Sequence, residues 1–270
     1  RLLVAVPPDC PIAAGDIARL DGIQLTSNGR THPEWLQGLA PWRRGEAYDP
    51  EDVAELERRL LDTGVYESVT VALAPADKLT PDGLRPVVVS LAERKKRTLE
   101  LGGSYDTTDG LGLDAKWTRY SLLGRADTFS ILGRLSNIDT RLEADLSLPH
   151  WRTPQQTLAT SAALYRASTP AYDQEGFKVS ADVTHRWGRN ATFGLTGTYF
   201  TWGGSVDLSR TSEVRIGSLT ALGRDIATFA GLADMALDRS DDPLDPRHGW
   251  RVGARIEPTL RALQAARAHV

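Results

Sequence analysis

The sequence predicts a small α+β domain followed by an antiparallel β-sheet with the patterning of a transmembrane barrel. Three observations carry this. Two helix signals, each opened by a proline, lie between strand-like runs in residues 1–93. From residue 96 onward apolar and polar residues alternate, the period of a strand with one buried face. The alternating segments run near ~9–11 residues, the length that crosses a bilayer when tilted, and aromatic residues cluster at their ends.

Residues 2–6 form a short apolar run, and residues 15–20 begin a second strand that stops at Asp21-Gly22. Thr31-His32-Pro33-Glu34 opens a short helix, with Thr31 or His32 as cap and Pro33 in the first turn. The next helix is better marked. Asp49 caps it, Pro50 takes the first position, and Glu51 and Asp52 face the positive end of the helix dipole. Val53, Leu56, Leu60 and Leu61 recur at helical spacing, and Gly64 ends the helix. Two strands follow, at residues 66–73 and 86–91, joined by a proline-, aspartate- and glycine-rich stretch. The order is β-α-α-β-β, with an extra strand ahead of it. Val53, Leu56, Leu60, Val69, Val71, Val87 and Val89 should form the core.

The remaining chain reads as about ten strands, starting near residues 97, 111, 126, 141, 156, 177, 191, 213, 228 and 249. Leu111, Leu113, Ala115, Trp117, Phe177, Val179, Val183, Val252 and Ile256 are expected to face lipid. Asp114, Lys116, Glu143, Asp145, Lys178, Asp182 and Arg186 are expected on the concave side. A soluble sheet alternates as well. Segment length, the aromatics Tyr105, Trp117, Tyr120, Trp151, Trp187, Tyr199 and Trp202 near segment ends, and short turns at residues 122–125, 188–190 and 223–225 favour the membrane. Residues 259–270 lack alternation and are expected to be irregular, which would leave the barrel unclosed.

Particular phrases add a family resemblance. Gly45, Tyr48, Leu56, Leu60 and Leu61, then Asp62-Thr63-Gly64-Val65-Tyr66-Glu67-Ser68-Val69-Thr70-Val71, resemble a POTRA domain, with Gly64, Tyr66, Val69 and Val71 as its motif. A POTRA domain at residues 1–93, barrel strands at 94–258 and a tail at 259–270 together resemble the BamA/TamA superfamily of outer-membrane insertases and secretion transporters. Residues 101–110, the turn Tyr120-Ser121-Leu122-Leu123-Gly124-Arg125, and the loop from Asp241 through Asp242, Pro243, Pro246 and Gly249 to Trp250 are similar to phrases of the TamA-like branch. Two features depart from the family. Its "V-R-G-Y/F" motif is not found, and such barrels close with more strands, so the carboxyl-terminal part of the barrel and up to two further POTRA domains are expected to lie outside this sequence.

The resemblance implies insertion or translocation of β-rich clients such as autotransporters at the Gram-negative outer membrane. The POTRA domain would lie in the periplasm. Implied partners are outer-membrane lipid, unfolded β-barrel clients and a periplasm-spanning TamB-like inner-membrane protein. The first barrel strand, with Leu99, Leu101, Gly102, Gly103 and Tyr105, would be the gate that opens at a weak seam. Its glycines would either ease unpairing or relieve crowding in a curved wall. A passive pore and a dedicated two-partner secretion transporter are the alternatives.

Composition trims other classes. The chain has 270 residues, 41% hydrophobic and 25% charged, with net charge -3. That balance argues against nucleic-acid binding. Cys10 alone excludes a disulfide framework or a multi-cysteine metal site. Mean hydropathy is -0.31, and no run reaches the ~18 apolar residues of a membrane helix. Gly102-Gly103-Ser104-Tyr105-Asp106 and Gly203-Gly204-Ser205-Val206-Asp207 both miss the last glycine of a nucleophile elbow. The histidines show no ligand spacing. Asp238, Asp241, Asp242 and Asp245 could ligate calcium but read more simply as a solvated acidic loop. No enzymatic activity and no cofactor are expected.

Overall fold

A computed structural model describes residues 17–26, 29–107, 110–169, 171–187, 198–213, 222–240 and 247–265. Its first unit holds β1 (Leu20–Leu25), α1 (Pro33–Gln37), α2 (Pro50–Asp62), β2 (Tyr66–Leu73) and β3 (Arg85–Glu93). The sheet order is β1-β3-β2, with β1 parallel and β2 antiparallel to β3. Asp49 caps α2 by accepting from the Glu51 N–H at 2.8 Å. Gly64, at φ 68°, turns the chain out of the helix.

Val53, Leu56 and Leu60 of α2 meet Val69, Val71, Val87, Val89 and Tyr66 in one buried cluster. Leu61, counted on the same helical face by spacing, is 43% exposed. One residue along a helix turns the side chain by about 100°, which carries Leu61 off the stripe. The first described strand also lies later than expected. It runs through Asp21-Gly22 because it is an edge strand whose exposed backbone is met by side chains. Gln37 accepts from Ile23 N–H and donates to Ile23 O, at 3.0 and 2.5 Å, and Trp42 Nε1 donates to Asp21 O at 2.8 Å. The apolar run at residues 2–6 lies outside the described residues.

The second unit is one antiparallel meander: β4 (Arg97–Asp106), β5 (Gly110–Tyr120), β6 (Thr128–Ser136), β7 (Asp139–Leu148), β8 (Gln156–Ser168), β9 (Tyr172–Arg186), β10 (Tyr199–Glu213), β11 (Leu222–Asp238), β12 (Arg251–Ile256) and β13 (Thr259–Ala265). It is not closed: β4 pairs only with β5, and β12 and β13 pair only with β11, among the described residues.

Three expectations change here. The strand expected from residue 213 does not start there, because residues 199–213 form a single 15-residue strand. Gly223-Arg224-Asp225, expected as a turn, lies inside β11, where Asp225 pairs with Arg210 at 2.7 Å. The tail expected to be irregular contains β13. Ala233↔Ile256 and Ala230↔Thr259 share one register, so β12 and β13 continue each other across Glu257-Pro258. Pro258 has no N–H, but its carbonyl accepts from Gly231 N–H at 2.9 Å and carries the pairing through.

Register puts Leu99, Trp117, Ile131, Ala144, Ala162, Val179, Val206 and Phe229 on one face. Leu111, Leu113, Phe177, Val179, Val252 and Ile256 are exposed there, while Val183 is only 9% exposed between Leu158 and Trp202. The opposite face carries Asp114, Lys116, Glu143, Asp145, Lys178, Asp182 and Arg186, and most of these polar side chains are half-buried. A curved sheet crowds the side chains on its concave side and fans out those on its convex side, so the polar face is the inner one.

Candidate functional site: the edge strand and the joint beneath it

The edge strand β4 ends the sheet, pairing with β5 on one side and with no strand on the other among the described residues. Leu99, Leu101 and Tyr105 stand on the apolar face, the last two 76% and 77% exposed. The two glycines differ. A Cβ on Gly102 would lie 2.9 Å from Asp114 Cγ, so the Asp114 carboxylate folds over the bare backbone. A Cβ on Gly103 would meet Leu113 Cδ2 at 3.7 Å and Gly112 O at 4.0 Å, both ordinary contacts. Gly102 therefore relieves crowding, whereas Gly103 only removes a side chain that could bind the strand to a neighbour.

The turn after β5 joins sheet and small unit. Asp127 is fully buried. Its carboxylate accepts from Leu122 N–H at 2.9 Å and Leu123 N–H at 2.8 Å, and its carbonyl from Ser121 N–H at 2.7 Å. That clamp holds Ser121 and Ala126 at positive φ, 50° and 52°, with Gly124 at 71°. Gly124 O accepts from His32 N–H at 2.9 Å, and a Cβ on Gly124 would strike the His32 ring. Ala126 and Tyr120 pack on the small unit's core.

Arg30, held by Glu93 inside the small unit, reaches the same joint. Its Nε meets Glu93 Oε2 at 2.7 Å, and its other nitrogens donate to Arg94 O at 2.7 Å and Tyr120 O at 3.4 Å. Burial pushes the Glu93 carboxyl up, but the Arg30 side chain, the Arg30 N–H and the Thr31 hydroxyl outweigh this and hold it below the usual range. Tyr66 is pushed up to about 12 by burial, while its hydroxyl bonds to Thr31 Oγ1 at 2.8 Å. On the far side of the joint, His150 of the β7–β8 turn contacts Arg59 O of α2 through Nε2 at 3.1 Å and Pro154 O through Nδ1, and stacks obliquely on Trp35.

Tyr66, Val69 and Val71 are thus brought together in the small unit's core, apart from the β4 edge, while Gly64 sits exposed at the helix exit. Asp242, Pro243 and Pro246 lie outside the described residues. Gly249 is described at φ 116°, where a Cβ would run into the Arg239 backbone. Spacing did not flag Arg30, Glu93, Asp127 or His150. The one readable signal among them was Asp127, an aspartate just after a Gly-containing turn.

The Omp85 superfamily domain matches residues 121–268, more than half of the chain. The chain belongs to the Omp85 superfamily. Solved structures agree in fold: BamA from Haemophilus ducreyi lacking POTRA domains 1–3, at 13% identity and TM-score 0.56, covering 94% of this chain and 57% of that one. CdiB from Acinetobacter baumannii matches at 14% identity and TM-score 0.51 over 94% of this chain and 54% of that one, and CdiB from Escherichia coli at 15% and 0.51 over 82% and 45%. The Omp85 chain therefore spans about half the length of these structures. Members of the superfamily are outer-membrane proteins of Gram-negative bacteria, which makes lipid the natural solvent for its exposed apolar face. The matched segment includes β13, so the stretch first expected to be a tail belongs to the Omp85 domain.

Proposed function

We propose that this Omp85 chain is part of a non-catalytic outer-membrane machine that inserts or secretes β-rich client proteins, with autotransporter-like barrels as clients. The β4 edge carries the reading. It offers main-chain donors and acceptors at the sheet margin, which need no particular client sequence to pair. In this reading the small unit is a POTRA domain in the periplasm, latched by the Arg30 contact to Tyr120 O and by the Gly124 turn so that a client delivered there meets β4. The TamA-like phrases of the sequence add a TamB-like periplasmic partner to the proposal.

The test is reconstitution of the full-length protein in lipid vesicles with an unfolded barrel client. The client should fold faster than in empty vesicles, and a cysteine at Leu99 or Leu101 should cross-link to its terminal strand. Client folding at the same rate in both vesicle preparations, with cross-links no denser at β4 than at β8, would refute it.

A further inference from the structure

We propose that the foot of the edge strand holds the phosphate of a membrane glycerophospholipid, in the leaflet nearest the small unit, between Arg97 and Arg119. Arg97 and Arg119 are direct register partners on β4 and β5. Both stand on the apolar face, one step beyond Leu99 and Trp117. Like charges placed directly opposite destabilise a strand pair unless something anionic lies between them. No carboxylate pairs with either guanidinium among the described residues, and Arg119 Nε is buried with no hydrogen-bond partner. The uncompensated charge extends into the link from β3, where Arg94, Lys95, Lys96 and Arg97 are consecutive.

The level of the site fits a headgroup. Trp117 and Phe129 meet edge-to-face at 6.2 Å, and Phe200 stacks on Trp202 at 5.5 Å, with His185 and Trp187 4.6 Å apart. These rings lie on the apolar face at the strand ends nearest the small unit. Aromatic rings on a barrel's outer face mark the boundary between hydrocarbon and headgroups. Arg97 and Arg119 sit just past that boundary, where lipid phosphates lie. Guanidinium is planar and offers paired N–H donors that match two phosphate oxygens. A bound lipid would pin the foot of the edge strand while leaving its upper half, with Gly103, free to unpair.

The inference rests on the sheet crossing a membrane, as the proposed function does. The test takes the full-length protein from mixed phosphatidylglycerol and phosphatidylcholine micelles into native mass spectrometry, and reads the ratio of the two lipids retained. The wild type should retain phosphatidylglycerol selectively. Arg97→Gln or Arg119→Gln should lower that selectivity about five-fold, and the double variant about thirty-fold. Arg97→Lys/Arg119→Lys, which keeps the charge and loses the fork, should fall between. Arg152→Gln, a cation elsewhere on the same rim, should change nothing.

Equal ratios for the wild type and the double glutamine variant would overturn the proposal. So would complete displacement of the lipid by inorganic phosphate alone, which would assign the site to a free anion. Heat-modifiable mobility of each variant shows that it has folded. A wild type that never inserts into vesicles would defeat the membrane reading itself, whereas an inserted wild type without lipid selectivity defeats only this site.

Discussion

Replacing Glu93 with alanine should loosen the loop of the small unit that meets the sheet, because Glu93 holds Arg30 and Thr31 beside the contacts to Tyr120 O and Gly124 O. Its Oε1 accepts from Arg30 N–H at 2.7 Å, Thr31 N–H at 3.1 Å and the Thr31 hydroxyl at 3.1 Å, while Oε2 meets Arg30 Nε at 2.7 Å. The side chains of Arg30 and Glu93 are 24% and 12% exposed. Removing the carboxylate strands two backbone donors and a guanidinium in a shielded place. Breaking a buried pair from one side costs about 3–5 kcal/mol, and water reaching Arg30 trims this to about 2–4 kcal/mol. Hydrogen exchange at the Arg30 and Thr31 amides of the full chain should accelerate at least about 30-fold.

The same carboxylate should make the joint sensitive to pH. Burial raises Glu93, the Arg30 and Thr31 contacts lower it further, and the net shift is downward. A carboxylate held low in the fold contributes stability that is present at neutral pH and lost as pH falls through its folded pKa. Protection of the Thr31 amide should therefore collapse only below the ordinary carboxylate range in the wild type, and stay level through that range in Glu93→Gln. Unchanged exchange in Glu93→Ala, or a wild type with no acid limb, would refute the reasoning.

Gly124→Val should free the small unit from the sheet at a cost of about 2–3 kcal/mol, because a left-handed backbone costs a β-branched residue and the His32 bond is lost; distances between spin labels on the two units should broaden. Gly176→Val should weaken the sheet by about 1–3 kcal/mol, since its Cβ would lie 2.8 Å from Tyr165 Cζ and 2.9 Å from Leu208 O. Tyr165 reaches across Gly176 to Asp207 at 2.9 Å, so Tyr165→Phe should lose about 1–3 kcal/mol in the same unfolding titration in lipid. Val179→Arg, on the lipid face, should cost about 2–4 kcal/mol if it lies near the midplane. A soluble sheet would show no such loss.

The sequence made legible whatever rests on periodicity. Helix α2 was readable from Asp49-Pro50 and its apolar spacing, and the sheet from alternation, because burying one face imposes both patterns. Leu61 shows the limit: adjacent leucines share a run but not a face. Asp21-Gly22 read as a strand end because both residues are poor strand formers, yet at an edge Gln37 and Trp42 supply the partners that a neighbouring strand would. The joint was not legible. Arg30, Glu93 and His150 act singly, each meeting a partner far away in the chain, and no local spacing encodes such a meeting, while Asp127 clamps its own turn.

Pro258 shows the same limit in the sheet, and it connects to how the edges differ. A proline at a strand end reads as a stop because its missing N–H breaks a ladder. Here the missing donor is not needed: the Pro258 carbonyl accepts from Gly231, and the ring covers that glycine, with Cγ 3.3 Å from where a Cβ would stand. The strand after the break therefore keeps the register of the strand before it. At the other margin nothing comparable covers β4 among the described residues. Gly103 faces Leu113 and the Gly112 carbonyl at ordinary contact distance, and the strand's single ladder among the described residues is to β5. One margin is thus secured by a proline seated on a glycine, while at the other the seam with β5 is interrupted by two adjacent glycines, so if one edge of this sheet opens to a client, β4 is the edge that does so at lower cost.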